Sequence, residues 1–330
     1  MYTIQVKNIS REFVVKGVVK KAVQSLSFNV KGGTIFGLLG PNGAGKSTTI
    51  KMMNTLLLPT SGELTVLDHD IYTKEKQIRS EIGFLYGGET GLYWQLSGRD
   101  NLKYFGSLFK IEPSLLEERI NYWLQRLGLE KDQHVLTMRY SKGMKQRLHI
   151  ARTLLHDPQI LFMDEPTLGL DPEGTKDLRN IMMELKAKGK TIILTTHDME
   201  EAEELCDEIA FIMDGKIVSI GTVQELQEKY EEGNEYHIEI GRELPVWIES
   251  ELKSLNYLMK DPIFQINGTI LLHVQLPNSA NGEKELGELV SILAPYNIKQ
   301  IVKKQMDLRE IYLKIVSGYS DKEQGVELLV

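Results

Sequence analysis

The run Gly40-Pro41-Asn42-Gly43-Ala44-Gly45-Lys46-Ser47-Thr48 constrains this chain more than any other segment. It lies between an apolar strand candidate, Thr34 to Leu39, and a helix candidate with Ile50, Met53 and Leu57 on one face. Glycines let a loop wrap so that its N–H groups point inward, and the helix N-terminus behind it adds the positive end of a dipole. Such a loop cradles phosphate. Lys46 is placed to reach the β and γ phosphates of a nucleotide, and the Ser47 hydroxyl is placed to bind Mg²⁺.

A second acidic element completes the pattern. Gln159 to Met163 is an apolar strand run that ends in Asp164-Glu165. After a phosphate loop, a carboxylate at Asp164 can hold Mg²⁺, directly or through water. Glu165, one residue beyond, can orient or deprotonate an attacking water. Alone, an acidic strand end is common. Together the two motifs predict ATP as substrate and Mg²⁺ as its companion ion.

The size and charge of the chain narrow the class. A length of 330 residues exceeds one compact domain, so a large domain plus a smaller one is expected. The hydrophobic fraction of 42% is spread through short runs, none approaching the roughly 18 to 20 apolar residues of a membrane-spanning helix. Met1 to Ser10 alternates like a strand and has no signal-peptide character, which predicts a cytoplasmic chain. The single cysteine, Cys206, excludes an internal disulfide and a cysteine-cluster metal site, and reads as a small buried hydrophobe. A net charge of -7 argues against nucleic acid as the main partner.

The phosphate loop and the Asp-Glu pair fit many ATPases, and the class is carried by what lies between and after them. Tyr140-Ser141-Lys142-Gly143-Met144-Lys145-Gln146-Arg147 precedes Asp164, Leu168-Gly169-Leu170-Asp171 follows it, and Thr195-Thr196-His197 ends a later strand, Thr191 to Leu194. With these motifs in this order, residues 1 to about 228 resemble the ABC ATPase family. The family signature, usually read Leu-Ser-Gly-Gly-Gln, keeps its Ser and second Gly as Ser141 and Gly143. Lys142 and Met144 depart from it in a manner similar to the drug and ion exporter branch.

The resemblance assigns further roles. His197 matches the family's switch histidine, and Asp171 belongs to the loop following the catalytic pair. Phe13 resembles the aromatic residue that stacks on adenine, with a core phenylalanine as the alternative. The family glutamine expected after the strand Ile82 to Tyr86 is replaced by Gly87-Gly88-Glu89. The longer phrase Gly87 to Tyr93 is similar to that of sodium-extruding ATPase subunits, and Glu89 is the nearest oxygen ligand for the metal. The resemblance also implies that Ser141 and Gly143 close over a nucleotide held by a second copy or a homologous subunit. The stretch near Leu92 to Asn101, with Trp94, would meet a membrane-spanning permease subunit.

The implied fold is α/β: a P-loop ABC ATPase core over residues 1–230 with a helical subdomain at about 92–155, and a smaller α+β domain over 234–330. Within the core, Ile209 to Ile220 reads as a hairpin turning at Asp214-Gly215. In the tail, Tyr236 to Ile240 reads as a strand, Val246 to Leu255 as a helix, and Ile263 to Leu276 as two strands around Asn267-Gly268. A helix at Glu283 to Leu293 and a strand at Ile298 to Val302 complete a ferredoxin-like βαββαβ order, with a last helix at about Leu308 to Val316. The expected function is to power export of an ion, drug or other small substrate from a peripheral position on the inner face of the cell membrane. The rival is a soluble ABC ATPase acting on ribosomes or chromosomes. Such relatives carry two ATP-binding halves or a long coiled coil, and this sequence has one such half and no coiled coil.

Overall fold

A computed structural model of the chain describes residues 1–85, 91–231, 234–241, 269–276 and 282–327, together with 245, 248, 252, 254–255, 257–259 and 263–264. It divides into two compact units, Met1–Val223 and Gln224–Val330.

The first unit is built on two sheets. Strands β1 (Tyr2–Val15), β2 (Val18–Lys31), β4 (Ser61–Val66) and β5 (His69–Asp70) make an antiparallel sheet in the order β2-β1-β4-β5. The second sheet has the order β10-β9-β3-β8-β7-β6, from β3 (Ile35–Leu39), β6 (Ile82–Leu85), β7 (Ile160–Asp164), β8 (Thr191–Thr195), β9 (Glu208–Met213) and β10 (Lys216–Gly221). All its pairings are parallel except the β9–β10 hairpin at its edge.

Near-continuous apolar runs explain the second sheet. Every residue of β3 and β8, and Ile160 to Met163 of β7, is buried, as expected for strands covered on both faces. On one face, Phe36, Leu38, Phe162, Ile193, Ala210 and Ile212 join a core that also takes in Ile4, Val6, Val30 and Leu64 from the first sheet. Helix α1 (Lys46–Met53) contributes Ile50, Met52 and Met53 to the same core. The helix behind the phosphate loop is therefore anchored by both sheets. Buried Cys206 lies so near Gly37 that a Cβ there would come 2.8 Å from its Sγ, which fits its reading as a packing residue.

Two tight turns follow directly from sequence. Asp214-Gly215 takes φ of 46° and 76°, and Lys16-Gly17 takes φ of 50° and 80°, the left-handed pair that a two-residue hairpin demands. The segment after Phe13 is the tip of the β1–β2 ribbon. Helices α2 (Glu75–Glu81), α3 (Gly98–Leu108), α4 (Pro113–Arg126) and α5 (Lys142–Leu154) follow the first sheet, and α6 (Pro172–Ala187) and α7 (Met199–Leu205) connect the later strands. Among α3, α4 and α5, Leu102, Leu116, Ile120, Leu124 and Leu148 are buried.

The second unit begins within α8 (Val223–Tyr230) and carries an antiparallel sheet. Its strands are β11 (Asn234–Ile240), β12 (Leu258–Met259), β13 (Ile263–Phe264), β14 (Ile270–Leu276) and β15 (Ile298–Lys303). Their order β12-β14-β11-β15, with β13 also on β14, is the 2-3-1-4 arrangement of a ferredoxin-like unit whose second strand comes in two short pieces. Helix α9 (Gly282–Leu293) supplies Leu289 and Leu293 to a core with Ile238, Ile240, Leu272, Val274, Ile248 and Leu252. Most of the helix expected at Val246 to Leu255, and the Asn267-Gly268 turn, lie outside the described residues. The last helix, α10 (Leu308–Glu327), runs past the expected Val316, since a glycine such as Gly318 or Gly325 costs only about 1 kcal/mol in a helix and does not by itself break it.

Each unit has its own core. Leu272→Ala is therefore expected to cost about 2–5 kcal/mol in the second unit alone. Amide hydrogen exchange resolved by segment would show lost protection in β11, β14 and β15 and unchanged protection in β3, β7 and β8.

Candidate active site

Parallel pairing brings the C-terminal ends of β3, β7 and β8 to one edge, where open α/β sheets place their ligands. β3 runs into Gly40, β7 ends in Asp164, and β8 ends in Thr195, which is in register with Asp164.

The phosphate loop is held by backbone close approach. A Cβ on Gly40 would lie 2.1 Å from the Ile212 carbonyl oxygen, and one on Gly45, at φ 106°, would lie 2.6 Å from that of Ala22. Only glycine fits at either point. The Gly215 N–H donates to the Ala44 carbonyl at 2.9 Å, and the Gln24 N–H donates to the Gly215 carbonyl at 2.7 Å. The β9–β10 turn thereby clamps the loop against β2.

Lys46, the first residue of α1, is 8% exposed and donates to the carbonyls of Gly40 at 2.7 Å and Pro41 at 2.9 Å. Burial pushes its ammonium below the ordinary lysine value, and the Glu165 and Asp164 carboxylates oppose that shift. Ser47 Oγ donates to Asp164 Oδ2 at 3.3 Å, and Thr195 Oγ1 donates to Asp164 Oδ1. Two oxygen donors at that separation suit adjacent positions around a small, hard cation such as Mg²⁺.

Glu165 stands at φ 48°, a left-handed backbone that costs on the order of 1–2 kcal/mol for a residue with a side chain. The strain is held by its N–H, which donates to the Thr195 carbonyl at 3.0 Å and to Thr195 Oγ1 at 3.2 Å. Its carboxylate lies 3.6 Å from His197 Nδ1. A carboxylate bent away from the strand axis beside an imidazole can orient or deprotonate a water.

Lys46, Ser47, Asp164 and Glu165 line a cleft of about 710 Å³, while Thr195 and His197 stand behind its lining, His197 largely exposed. Phe13, Asn42, Gly43, Gly45, Lys46, Ser47, Thr48, Asp164 and Glu165 share its wall, and Gly40 and Pro41 lie beneath it as the acceptors of Lys46. Ala44 is buried in the loop and takes the clamp from Gly215. Phe13 is part-buried, with the Arg11 guanidinium 4.8 Å from its ring centroid, and so serves the cleft rather than the core. Val15, Lys20, Lys21, Gln24 and Asp214 also line the cleft and were not singled out from sequence. Of these only Asp214 carried a signal, as part of the hairpin turn.

Ser141, Gly143 and Asp171 lie outside the described wall of this cleft. Ser141 caps α5, accepting from the Met144 N–H at 3.2 Å, and Asp171 caps α6, accepting from the Gly174 N–H at 2.7 Å. Gln146 of α5 donates to the Pro166 carbonyl at 2.8 Å, which joins the capped helix to the loop after Glu165. Glu89 lies outside the described residues.

This sheet edge, with its phosphate loop and paired carboxylates, is that of an ATP-binding cassette. The ABC transporter family model matches residues 23–168. The chain is 38% identical to the ABC transporter ATP-binding protein NatA of Bacillus subtilis, over 68% of this chain and 92% of the relative. It is 44% identical to a fluoroquinolones export ATP-binding protein of Mycobacterium tuberculosis, over 62% of this chain and 67% of the relative. Among solved structures it resembles an ATP-binding subunit of an ABC transporter, with TM-score 0.64 and 29% identity over 69% of this chain and 93% of the other. It also resembles a dimeric ATP-binding cassette bound to ADP and Pi in a post-hydrolysis state, with TM-score 0.62 and 25% identity over 66% of this chain and 98% of the other.

The chain belongs to the ABC transporter ATP-binding protein family. It is a nucleotide-binding subunit that hydrolyses ATP to power transport.

Lys46→Ala removes the buried cation without touching the glycine clamp. At ATP concentrations about a hundred times the dissociation constant, the parent should gain on the order of 2.7 kcal/mol in stability, and the variant should lose most of that gain. Thermal melting with and without magnesium ATP measures both.

Proposed function

We propose that this chain is the motor of an exporter, hydrolysing magnesium ATP as a dimer to drive an ion, drug or other small substrate through a separate membrane permease. The observation that carries the reading is the division of the site. The cleft holds Lys46, Ser47, Asp164 and Glu165, while Ser141 and Gly143 stand at a capped helix outside it. A helix N-terminus with a serine hydroxyl suits an anion. A twofold pairing gives each cleft the signature of the partner.

The roles follow from position. Ser47 and Asp164 hold Mg²⁺, Lys46 neutralises the phosphates, Phe13 stacks on the base, and Glu165 orients the attacking water with His197 behind it. Asp171 fixes the loop that meets the partner copy. The cycle is closure over two ATP molecules followed by release on hydrolysis.

Export through a separate permease is supported by the names of the relatives and by one surface. No described helix is long and apolar enough to cross a membrane. A groove of about 630 Å³ is lined by the apolar Leu56, Ile82, Phe84, Phe105, Leu108 and Phe109 together with the polar Asn54, Arg79, Arg152, Thr153 and His156. Beside it the rings of Tyr93, Tyr104 and Phe105 cluster, and exposed Trp94 adjoins them in sequence. Exposed aromatic surface of this kind suits an apolar helix presented by a membrane partner. Its engagement places the chain on the inner face of the cell membrane.

Glu165→Gln keeps the shape and removes the carboxylate, so turnover should fall by about 10²-fold or more while ATP still binds and dimers accumulate. Ser141→Ala should dissolve the trapped dimer, but it also deletes the cap of α5 at a cost of about 1 kcal/mol. Ser141→Asp separates the two effects, because aspartate caps equally well and repels phosphate across the interface. Dimer fraction by light scattering with ATP reads the outcome. Parental turnover in Glu165→Gln would sink the catalytic assignment, and dimers in the Glu165→Gln background that ignore Ser141→Asp would sink the shared site.

A further inference from the structure

The second unit carries a side-chain cluster that the nucleotide cycle does not use. Along β11, Tyr236, Ile238 and Ile240 enter the core, which places Glu235, His237 and Glu239 on the other face. Along β14, Ile270, Leu272, Val274 and Leu276 enter the core, which places Leu271, His273 and Gln275 beside them. His237 and His273 are direct cross-strand partners, with ring centroids 4.1 Å apart. Glu235 Oε1 lies 3.9 Å from His237 Nε2 and 3.8 Å from His273 Nδ1.

We propose that Glu235, His237 and His273 bind a divalent transition-metal ion of the zinc class on this face of the ferredoxin-like sheet. One donor atom from each residue lies within 4.8 Å of the others, and all three side chains are part-buried. In a tetrahedral site with bonds of about 2.0–2.2 Å, ligand atoms stand roughly 3.3–3.5 Å apart. Rotation about χ1 and χ2 by small amounts closes the difference.

The donor set selects the ion. Two imidazole nitrogens and one carboxylate suit Zn²⁺, Co²⁺, Ni²⁺ or Cu²⁺, whereas Mg²⁺ and Ca²⁺ require oxygen. Three protein ligands leave a fourth position for water or a further ligand. The strands supply the rigidity, since all three ligands sit on adjacent, hydrogen-bonded strands rather than on a loop.

A lysine competes for the site. Lys304 Nζ lies 3.8 Å from Glu235 Oε2, but its nearer partner is Glu310, at 2.6 Å from Nζ. That hydrogen bond to Glu310 holds the Lys304 ammonium above its ordinary value. Glu235 therefore turns one oxygen to Lys304 and the other to the imidazoles. Removing Lys304 should strengthen metal binding, an effect that a purely structural polar cluster would not give.

The test is titration of the nucleotide-free, untagged full chain with Co²⁺, read by visible absorption, with Zn²⁺ displacing it. One Co²⁺ per chain is expected, with the intense bands of a four- or five-coordinate nitrogen–oxygen site. His273→Gln and His237→Gln should each lose at least about tenfold to a hundredfold in affinity, the range lost even when an outer-shell partner is removed. Lys304→Met should bind more tightly than the parent, and Lys46→Ala should bind equally. If a histidine variant fails to fold, Glu235→Gln, which keeps the shape of the carboxylate, takes its place. Absence of bands in the parent, or bands that survive these substitutions unchanged, overturns the site. This result is independent of whether Glu165→Gln stops ATP turnover.

Discussion

The carboxylate of Asp164 is where the nucleotide unit is tied together. One oxygen accepts from Ser47, at the start of the helix behind the phosphate loop, and the other accepts from Thr195, at the end of the neighbouring strand. Three chain segments far apart in sequence meet on one side chain. They meet because β3, β8 and β7 are adjacent, parallel and in step, so that their ends reach the same level. Buried aliphatic runs fix that register, and the polar tie reads it out. The same Thr195 hydroxyl and carbonyl then hold the strained turn of Glu165. A slip of β8 would disturb both the Asp164 carboxylate and the Glu165 turn at once.

Strain at Glu165 also connects the cleft to the signature helix. The chain leaves Glu165 through Pro166, whose carbonyl accepts from Gln146 two turns or less from the Ser141 cap. Farther along, Arg147 lies 3.5 Å from Asp171, and buried Glu201 takes a hydrogen bond from Thr167 at 3.4 Å. Burial raises the Glu201 carboxyl above its ordinary value, opposed by the Thr196 hydroxyl and the Arg179 cation. The loop from Glu165 to Asp171 is thus gripped by α5 on one side and by α7 on the other. A rearrangement at Glu165 has a direct mechanical route to Ser141 and Asp171, the residues proposed to face a partner copy.

The parts of this site that were legible in the sequence are those with a strict backbone demand. Gly40 and Gly45 are glycines because carbonyl groups of other strands stand where a Cβ would go. Asp214-Gly215 was readable as a turn because both residues need left-handed φ, though nothing local revealed that the turn clamps the phosphate loop. Lys20, Lys21 and Val15 were not legible, since they reach the cleft only because the β1–β2 ribbon extends past the sheet and turns at Lys16-Gly17. In the tail, the strand pattern revealed β11, β14 and the strand beginning at Ile263 that pairs with β14, but not β12, a pair of residues too short to show a period. The histidine cluster was invisible for a related reason: His237 and His273 are brought together by register, which a single strand does not display.

The signature departures, Lys142 and Met144, have a local explanation. The Ser141 hydroxyl accepts a backbone N–H from position 144, so the cap is indifferent to which side chain stands there. Lys142 lies over Gly169, whose missing Cβ leaves room for the lysine stem at 2.6 Å. Gly143 is different. A Cβ built on it would meet nothing nearer than the Gly169 carbonyl at 3.8 Å, an ordinary contact. Within a helix, alanine would be favoured over glycine there by roughly 1 kcal/mol. Nothing among the described residues therefore asks for glycine at this end of α5. On the proposed shared site the demand comes from outside: phosphate held in the cleft of a second subunit would approach the backbone more closely than a methyl allows.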